Sequence, residues 1–94
     1  MKEREDLKFL RALRDRRKRI DAIDRKLLSL LNQRLRIALS IGEVKKKMGQ
    51  AIYDAKREEE VLERLIQRNK GPLKAEALKR IFRTIMSICR KAQS

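Results

Sequence analysis

Apolar positions in the first half of the chain fall on one line. Alternate steps of four and three residues visit Leu13, Arg17, Ile20, Asp24, Leu27, Leu31, Arg34, Ala38, Ile41 and Lys45. This is an unbroken heptad seam, the stripe that a long helix turns toward a partner. The helical pattern begins near Asp6, with Leu7, Leu10 and Leu13 on one face, and runs without proline or glycine to Ile41. Gly42 costs a helix about 1 kcal/mol relative to alanine, yet the pattern resumes at Val44 and Lys45. The helix is therefore predicted to end near Lys47, and the charged residues 1–6 are predicted to fray. A helix of roughly 40 residues far exceeds the average and needs support along its length. A second copy of the chain, the remaining helices, or both could supply it.

Residues 48–53, Met-Gly-Gln-Ala-Ile-Tyr, lose the period and read as a loop. Asp54 is a good N-cap for a second helix from Ala55 to about Asn69, whose apolar face is Val61, Leu62, Leu65 and Ile66. Glu58 lies on the same face, near Asp54. Alone, it reads as a first-turn carboxylate favoured by the helix dipole. Asn69-Lys70-Gly71-Pro72 is a stop signal. A third helix is predicted from about Leu73 to Ala92. Its inward face is Leu78, Ile81, Phe82, Ile85, Ile88, Cys89 and Ala92, with Gln93 adjoining it. The predicted fold is all-α, with three helices, one of them very long.

Composition narrows the class. A chain of 94 residues is one domain at most and buries only a modest core, so partners often complete it. The aromatics are Phe9, Phe82 and Tyr53, and leucine and isoleucine must supply the core. The formal net charge is +14, from 27 Lys and Arg against 13 Asp and Glu. Such an excess suits nucleic acid or a small anionic substrate, while for most of these charges a solvated surface is the plain reading. Cys89 is the single cysteine, so no intrachain disulfide can form, and by itself it reads as a small core residue. No run of 18 apolar residues occurs, and the charged N-terminus does not resemble a signal peptide. The cytoplasm is the expected location, with no membrane partner.

The seam then becomes chemically informative. A charge on an apolar stripe is costly unless something pairs with it. Asp24 can serve one cation locally. Arg17, Arg34 and Lys45 remain, spaced roughly 16 to 26 Å apart at about 1.5 Å per residue. A helix lining a pocket for an anionic ligand would carry them. The chain has no histidine, no Gly-rich phosphate loop and no Cys or His metal set. Arg, Lys, Gln and a few carboxylates bind, orient and stabilise charge. A reaction that needs conformational restraint and electrostatic help fits them.

Three motifs carry a resemblance. Arg17-Lys18-Arg19-Ile20-Asp21-Ala22-Ile23-Asp24-Arg25-Lys26-Leu27-Leu28, Leu31-Asn32-Gln33-Arg34 and Ile41-Gly42-Glu43-Val44-Lys45 resemble the first helix of the all-helical chorismate mutases. Asp54-Ala55-Lys56-Arg57-Glu58 is similar to the family's second motif. Arg80-Ile81-Phe82-Arg83-Thr84-Ile85-Met86-Ser87-Ile88-Cys89-Arg90-Lys91-Ala92-Gln93 resembles its third helix. The match covers about residues 10–93.

The resemblance implies an intramolecular Claisen rearrangement of chorismate to prephenate, on the way to phenylalanine and tyrosine, with no cofactor. It implies an intertwined homodimer of three-helix chains with two active sites. Arg17 would reach a substrate carboxylate across the dimer, and Arg34 would clamp a carboxylate from its own chain. Lys45 and Gln93 would donate to the ether oxygen. Asp54 and Glu58 would meet the substrate hydroxyl region, with Arg57 supporting. Cys89 stands where the family often has serine, which weakens one hydrogen bond to a carboxylate. The resemblance also allows this single domain, 1–94, to be the excised N-terminal domain of a bifunctional protein.

Two other readings stay open. One is an isochorismate-pyruvate lyase of the same fold. The other is a basic helical module binding nucleic acid or protein, favoured by the cluster Arg14-Asp15-Arg16-Arg17-Lys18-Arg19. Nucleic acid is disfavoured because the seam cations point inward and base-stacking aromatics are scarce.

Overall fold

A computed structural model of the chain describes residues 2–94. The elements are α1 (Lys2–Met48), α2 (Ala55–Arg68) and α3 (Ala75–Gln93), and there is no strand among the described residues. The expected all-helical, three-helix class is observed. The chain divides between Asn32 and Gln33 into two units.

The first unit holds the N-terminal part of α1. Its helix starts at Lys2, ahead of the expected Asp6. Of the expected frayed segment, Met1 lies outside the described residues, and Lys2–Asp6 are helical. Glu3 and Glu5 in the first turn favour this start, because carboxylates there complement the exposed N–H groups. Leu7, Phe9, Leu10, Leu13, Ile20, Ile23, Leu27, Leu28, Leu30 and Leu31 are all exposed. The apolar seam of this unit is uncovered in the single chain.

The second unit contains the last turns of α1 together with α2 and α3. Gly49, at φ 68°, takes the left-handed conformation that ends α1 without a Cβ clash. The Gln50 N–H bonds the Lys45 carbonyl at 2.8 Å, and the Gly49 N–H bonds that of Lys46 at 3.2 Å. This is a Schellman closure of the helix end. Asp54 caps α2 as expected, accepting from the Arg57 N–H at 3.0 Å. α2 stops at Arg68, one residue before the expected end, with Asn69 as its C-cap.

α3 begins at Ala75, not at the expected Leu73. Asn69 explains the delay. Its side chain donates to the Leu73 carbonyl at 2.6 Å and accepts from the Gly71 N–H at 3.0 Å. Those bonds hold the loop through Leu73, and Lys74 is still extended. α2 packs on α3. The core is Ala38, Leu62, Leu78, Met86 and Cys89. On α3 the expected inward face needs correction. Ile81, Ile88 and Ala92 are exposed, while Met86 is buried. Leu78, Met86 and Cys89 recur at helical spacing on the buried stripe, and Ile81 and Ile88 lie on an adjoining stripe that this chain leaves bare.

Candidate active site

Within the second unit lies a cavity of about 290 Å³, close to the lower end of small-molecule sites. The last part of α1 supplies Arg34, Ile37, Ala38, Ile41 and Lys45. Ile52 and Asp54 come from the loop, Arg57, Glu58 and Val61 from α2, and Met86, Cys89, Arg90 and Gln93 from α3. Arg34, Ala38, Ile41 and Lys45 are successive seam positions, so one helix face presents two cations with apolar residues between them.

Seven of the eight residues expected at a site line this cavity: Arg34, Lys45, Asp54, Arg57, Glu58, Cys89 and Gln93. Arg17 does not. It lies on the exposed surface of α1 in the first unit.

Internal bonds fix several of these groups. Arg34 Nη1 donates to the Cys89 sulfur at 3.1 Å, which joins α1 to α3. Sulfur is a weak acceptor, so the guanidinium keeps most of its donor capacity. Lys45 Nζ donates to the Ile52 carbonyl at 3.0 Å and pins the loop, with two ammonium donors left over. Asp54 commits Oδ1 to the cap of α2 and keeps Oδ2. Arg90 Nε pairs with Glu58 Oε2 at 3.2 Å, and the Arg90 guanidinium lies 4.4 Å from the centre of the Tyr53 ring.

Gln93, the last residue of α3, packs against Gly42. A Cβ on Gly42 would stand 2.9 Å from Gln93 Cγ and 3.0 Å from its Cβ. The glycine in the seam helix thus admits the end of α3. Gln93 Oε1 is buried without a hydrogen-bond partner. Such an atom carries a desolvation penalty of about 1–3 kcal/mol that a ligand donor or water would relieve.

Four cations, Arg34, Lys45, Arg57 and Arg90, face two carboxylates, Asp54 and Glu58. The balance suits a compact dianion with a neutral polar edge. Among the described residues no group of three or more His, Cys, Asp or Glu is placed to hold a metal ion. Arg90 was not among the expected site residues. It follows Met86 by four positions and precedes Gln93 by three, so helical spacing puts it on the same face. That was the available signal.

A family model for chorismate mutase type II matches residues 16–94. The chain belongs to the chorismate mutase type II family. Members of this family are isomerases that convert chorismate to prephenate. The chorismate mutase (form II) of Thermus thermophilus superposes with a TM-score of 0.85 at 33% identity, over 86% of this chain and 92% of that one. The chorismate mutase of Helicobacter pylori, solved in complex with prephenate, gives a TM-score of 0.80 at 42% identity, over 86% of this chain and 88% of that one. The bifunctional chorismate mutase/prephenate dehydratase of Pseudomonas aeruginosa is 42% identical over 94 residues, which is 95% of this chain and 24% of that protein. The chain spans about a quarter of the length of the curated relatives it matches. The family match begins after the first turns of α1, so it includes Arg17 and every cavity residue.

Proposed function

We propose that this chorismate mutase-type chain rearranges chorismate to prephenate in the synthesis of phenylalanine and tyrosine. The observation that carries the reading is the convergence of Arg34, Lys45, Asp54, Arg57, Glu58, Cys89 and Gln93 on one cavity in a chain of this family. The prephenate bound to the Helicobacter pylori relative supports the same ligand class.

The mechanism follows from the chemistry of the step. Breaking the C–O bond ahead of C–C bond formation builds negative charge on the ether oxygen. Lys45 and the Gln93 amide donate there, and their bonds strengthen as that charge grows. Interactions stronger in the transition state than in the ground state are those that accelerate the step. Arg34 holds a carboxylate by forked bonds and keeps the substrate in its compact pose. Arg57 supports the cation field. Asp54 and Glu58 meet the ring hydroxyl, and Cys89 orients Arg34 and touches the carboxylate. No proton moves, so no histidine and no cofactor are required.

The active form in this reading is an intertwined homodimer in the cytoplasm, with Arg17 from the partner subunit closing each site. The uncovered apolar seam of the first unit supports the dimer, since Ile20, Leu27 and Leu31 are exposed in the single chain. No helix among the described residues is long and apolar enough to cross a membrane. The 94 residues act as one chorismate mutase domain, and relatives that are bifunctional chorismate mutase/prephenate dehydratases match it over about a quarter of their length.

Spectrophotometric loss of chorismate, with the product identified by mass and acid lability, tests this. Prephenate formation is expected. Release of pyruvate from isochorismate with no turnover of chorismate would replace the mutase by the lyase. Salt-sensitive DNA binding without either activity would favour the basic module.

A further inference from the structure

Arg90 is the cavity cation that the proposed chemistry does not use. Its surroundings are specific. Nε meets Glu58 Oε2 at 3.2 Å, and the guanidinium lies 4.4 Å from the Tyr53 ring centre. The three residues come from α3, α2 and the loop before α2. The side chains of Arg90 and Glu58 are 32% and 24% exposed. An ion pair with that much solvent contact contributes little to stability. Its effect is geometric. A glutamate in the first turn of a helix has three rotatable bonds and no fixed direction of its own. Pairing through Oε2 removes that freedom and leaves Oε1 to accept from a ligand. The stacked ring restrains the guanidinium in turn, because the aromatic face attracts a cation and matches its plane.

We propose that Arg90 is a positioning residue that fixes Glu58 for a ligand hydroxyl, with Tyr53 as its brace. The inference rests on Glu58 as the acceptor of the substrate hydroxyl. Pre-ordering that carboxylate lowers the cost of orienting it when substrate binds. Arg90 also offsets the Glu58 charge inside a cavity that takes a dianion. The other charged groups facing the cavity are Arg34 and Lys45 from α1, Asp54 from the loop and Arg57 from α2. The three cations among them act on every dianionic ligand, whereas Glu58, held by Arg90, meets the hydroxyl beside Asp54 and sets how strongly it is recognised.

The experiment separates these effects with two probes. One is a bicyclic ether dicarboxylate bearing a secondary hydroxyl, and the other is its deoxy counterpart. The readout is the ratio of their inhibition constants, so a general loss of anion binding cancels. In the unaltered protein the hydroxyl probe binds more tightly. Arg90→Gln is expected to lower this preference about tenfold, the size of one hydrogen bond to a charged group. Glu58→Gln lowers it similarly, and the double variant lowers it no further. Tyr53→Leu lowers it about threefold, through loss of the cation–π brace. A preference unchanged in folded Arg90→Gln overturns the proposal. If Arg90→Gln does not fold, Tyr53→Leu decides in the same way. A preference unchanged in Glu58→Gln overturns the hydroxyl role of Glu58, and the Arg90 proposal with it. An unaltered protein that neither turns over chorismate nor binds either probe overturns the mutase reading instead.

Discussion

Gly42 has no side chain because Gln93 stands where one would go. The two sit on helices far apart in sequence, and only the fold shows that they meet. Along the chain, Gly42 reads as a weak point in a long helix, with its reason hidden. Gly42→Ala is predicted to split stability from activity. Alanine gains about 1 kcal/mol of helix propensity, while its Cβ displaces the last turn of α3 and moves the Gln93 amide. The displacement opposes that gain, so the melting temperature should shift by only a few degrees, while kcat/KM should fall about tenfold or more, as a small misplacement at a reacting atom commonly costs. Wild-type turnover in Gly42→Ala would show that Gln93 needs no such approach. Gln93→Glu probes the donor itself. A carboxylate accepts only and repels the growing charge, whereas a protonated carboxyl donates through O–H. Activity of this variant should be low at neutral pH and recover as the solution is acidified through that carboxyl's pKa. The unaltered amide does not titrate and should show no such gain. Parallel pH profiles would remove Gln93 from the ether oxygen. For Arg90, helical spacing marks its place on the cavity face but not its task, which lies in Glu58, 32 residues away, and no local pattern joins the two.

At the scale of elements, the helices were legible where local signals stood alone. Asp54 as a cap was readable because capping depends on a few adjacent groups, and the end of α1 near Lys47 because the helical period is lost after it. The start of α3 was not, since Asn69 reaches forward to the Leu73 carbonyl and competes with the helix for it. The face of α3 was misread in part because apolar residues cover two stripes, and composition does not say which one is buried within the chain. Asp54 has two assigned tasks, and substitution can separate them. Asp54→Asn keeps a good cap, and its stability should stay within about 0.5 kcal/mol of wild type. Asp54→Ala loses the bond to the Arg57 N–H and should cost about 1 kcal/mol. Activity lost equally in both, measured beside chemical denaturation, would assign the charge to the site. Activity retained in Asp54→Asn would leave Asp54 as a cap alone.

For the whole molecule, the heptad seam is the feature most legible in the sequence and the one a single chain does not satisfy. Its C-terminal stretch meets the cavity at Arg34, Ala38, Ile41 and Lys45. Its N-terminal stretch carries Ile20, Leu27 and Leu31 to solvent, with Arg17 among them. Burying each such side chain stabilises by about 1.5–3 kcal/mol, so a second seam along this face provides a large driving force for association. Arg17 would be carried into that contact, and an arginine there needs an anion. If the partner's cavity supplies one through the bound substrate, each active site takes Arg34 from one chain and Arg17 from the other. The arithmetic of mixed dimers tests this. Arg17→Ala and Arg34→Ala homodimers should each lose at least about 2 kcal/mol of transition-state stabilisation, more than tenfold in kcat/KM, because each lacks one charged hydrogen-bond donor at both sites. In the heterodimer of the two variants, one site lacks both arginines and the other has both. Co-refolding equal amounts gives half heterodimers, and each has one intact site, so about one quarter of wild-type activity should return. Heterodimers shown by native mass spectrometry with no recovery of activity would place both arginines of a site on the same chain.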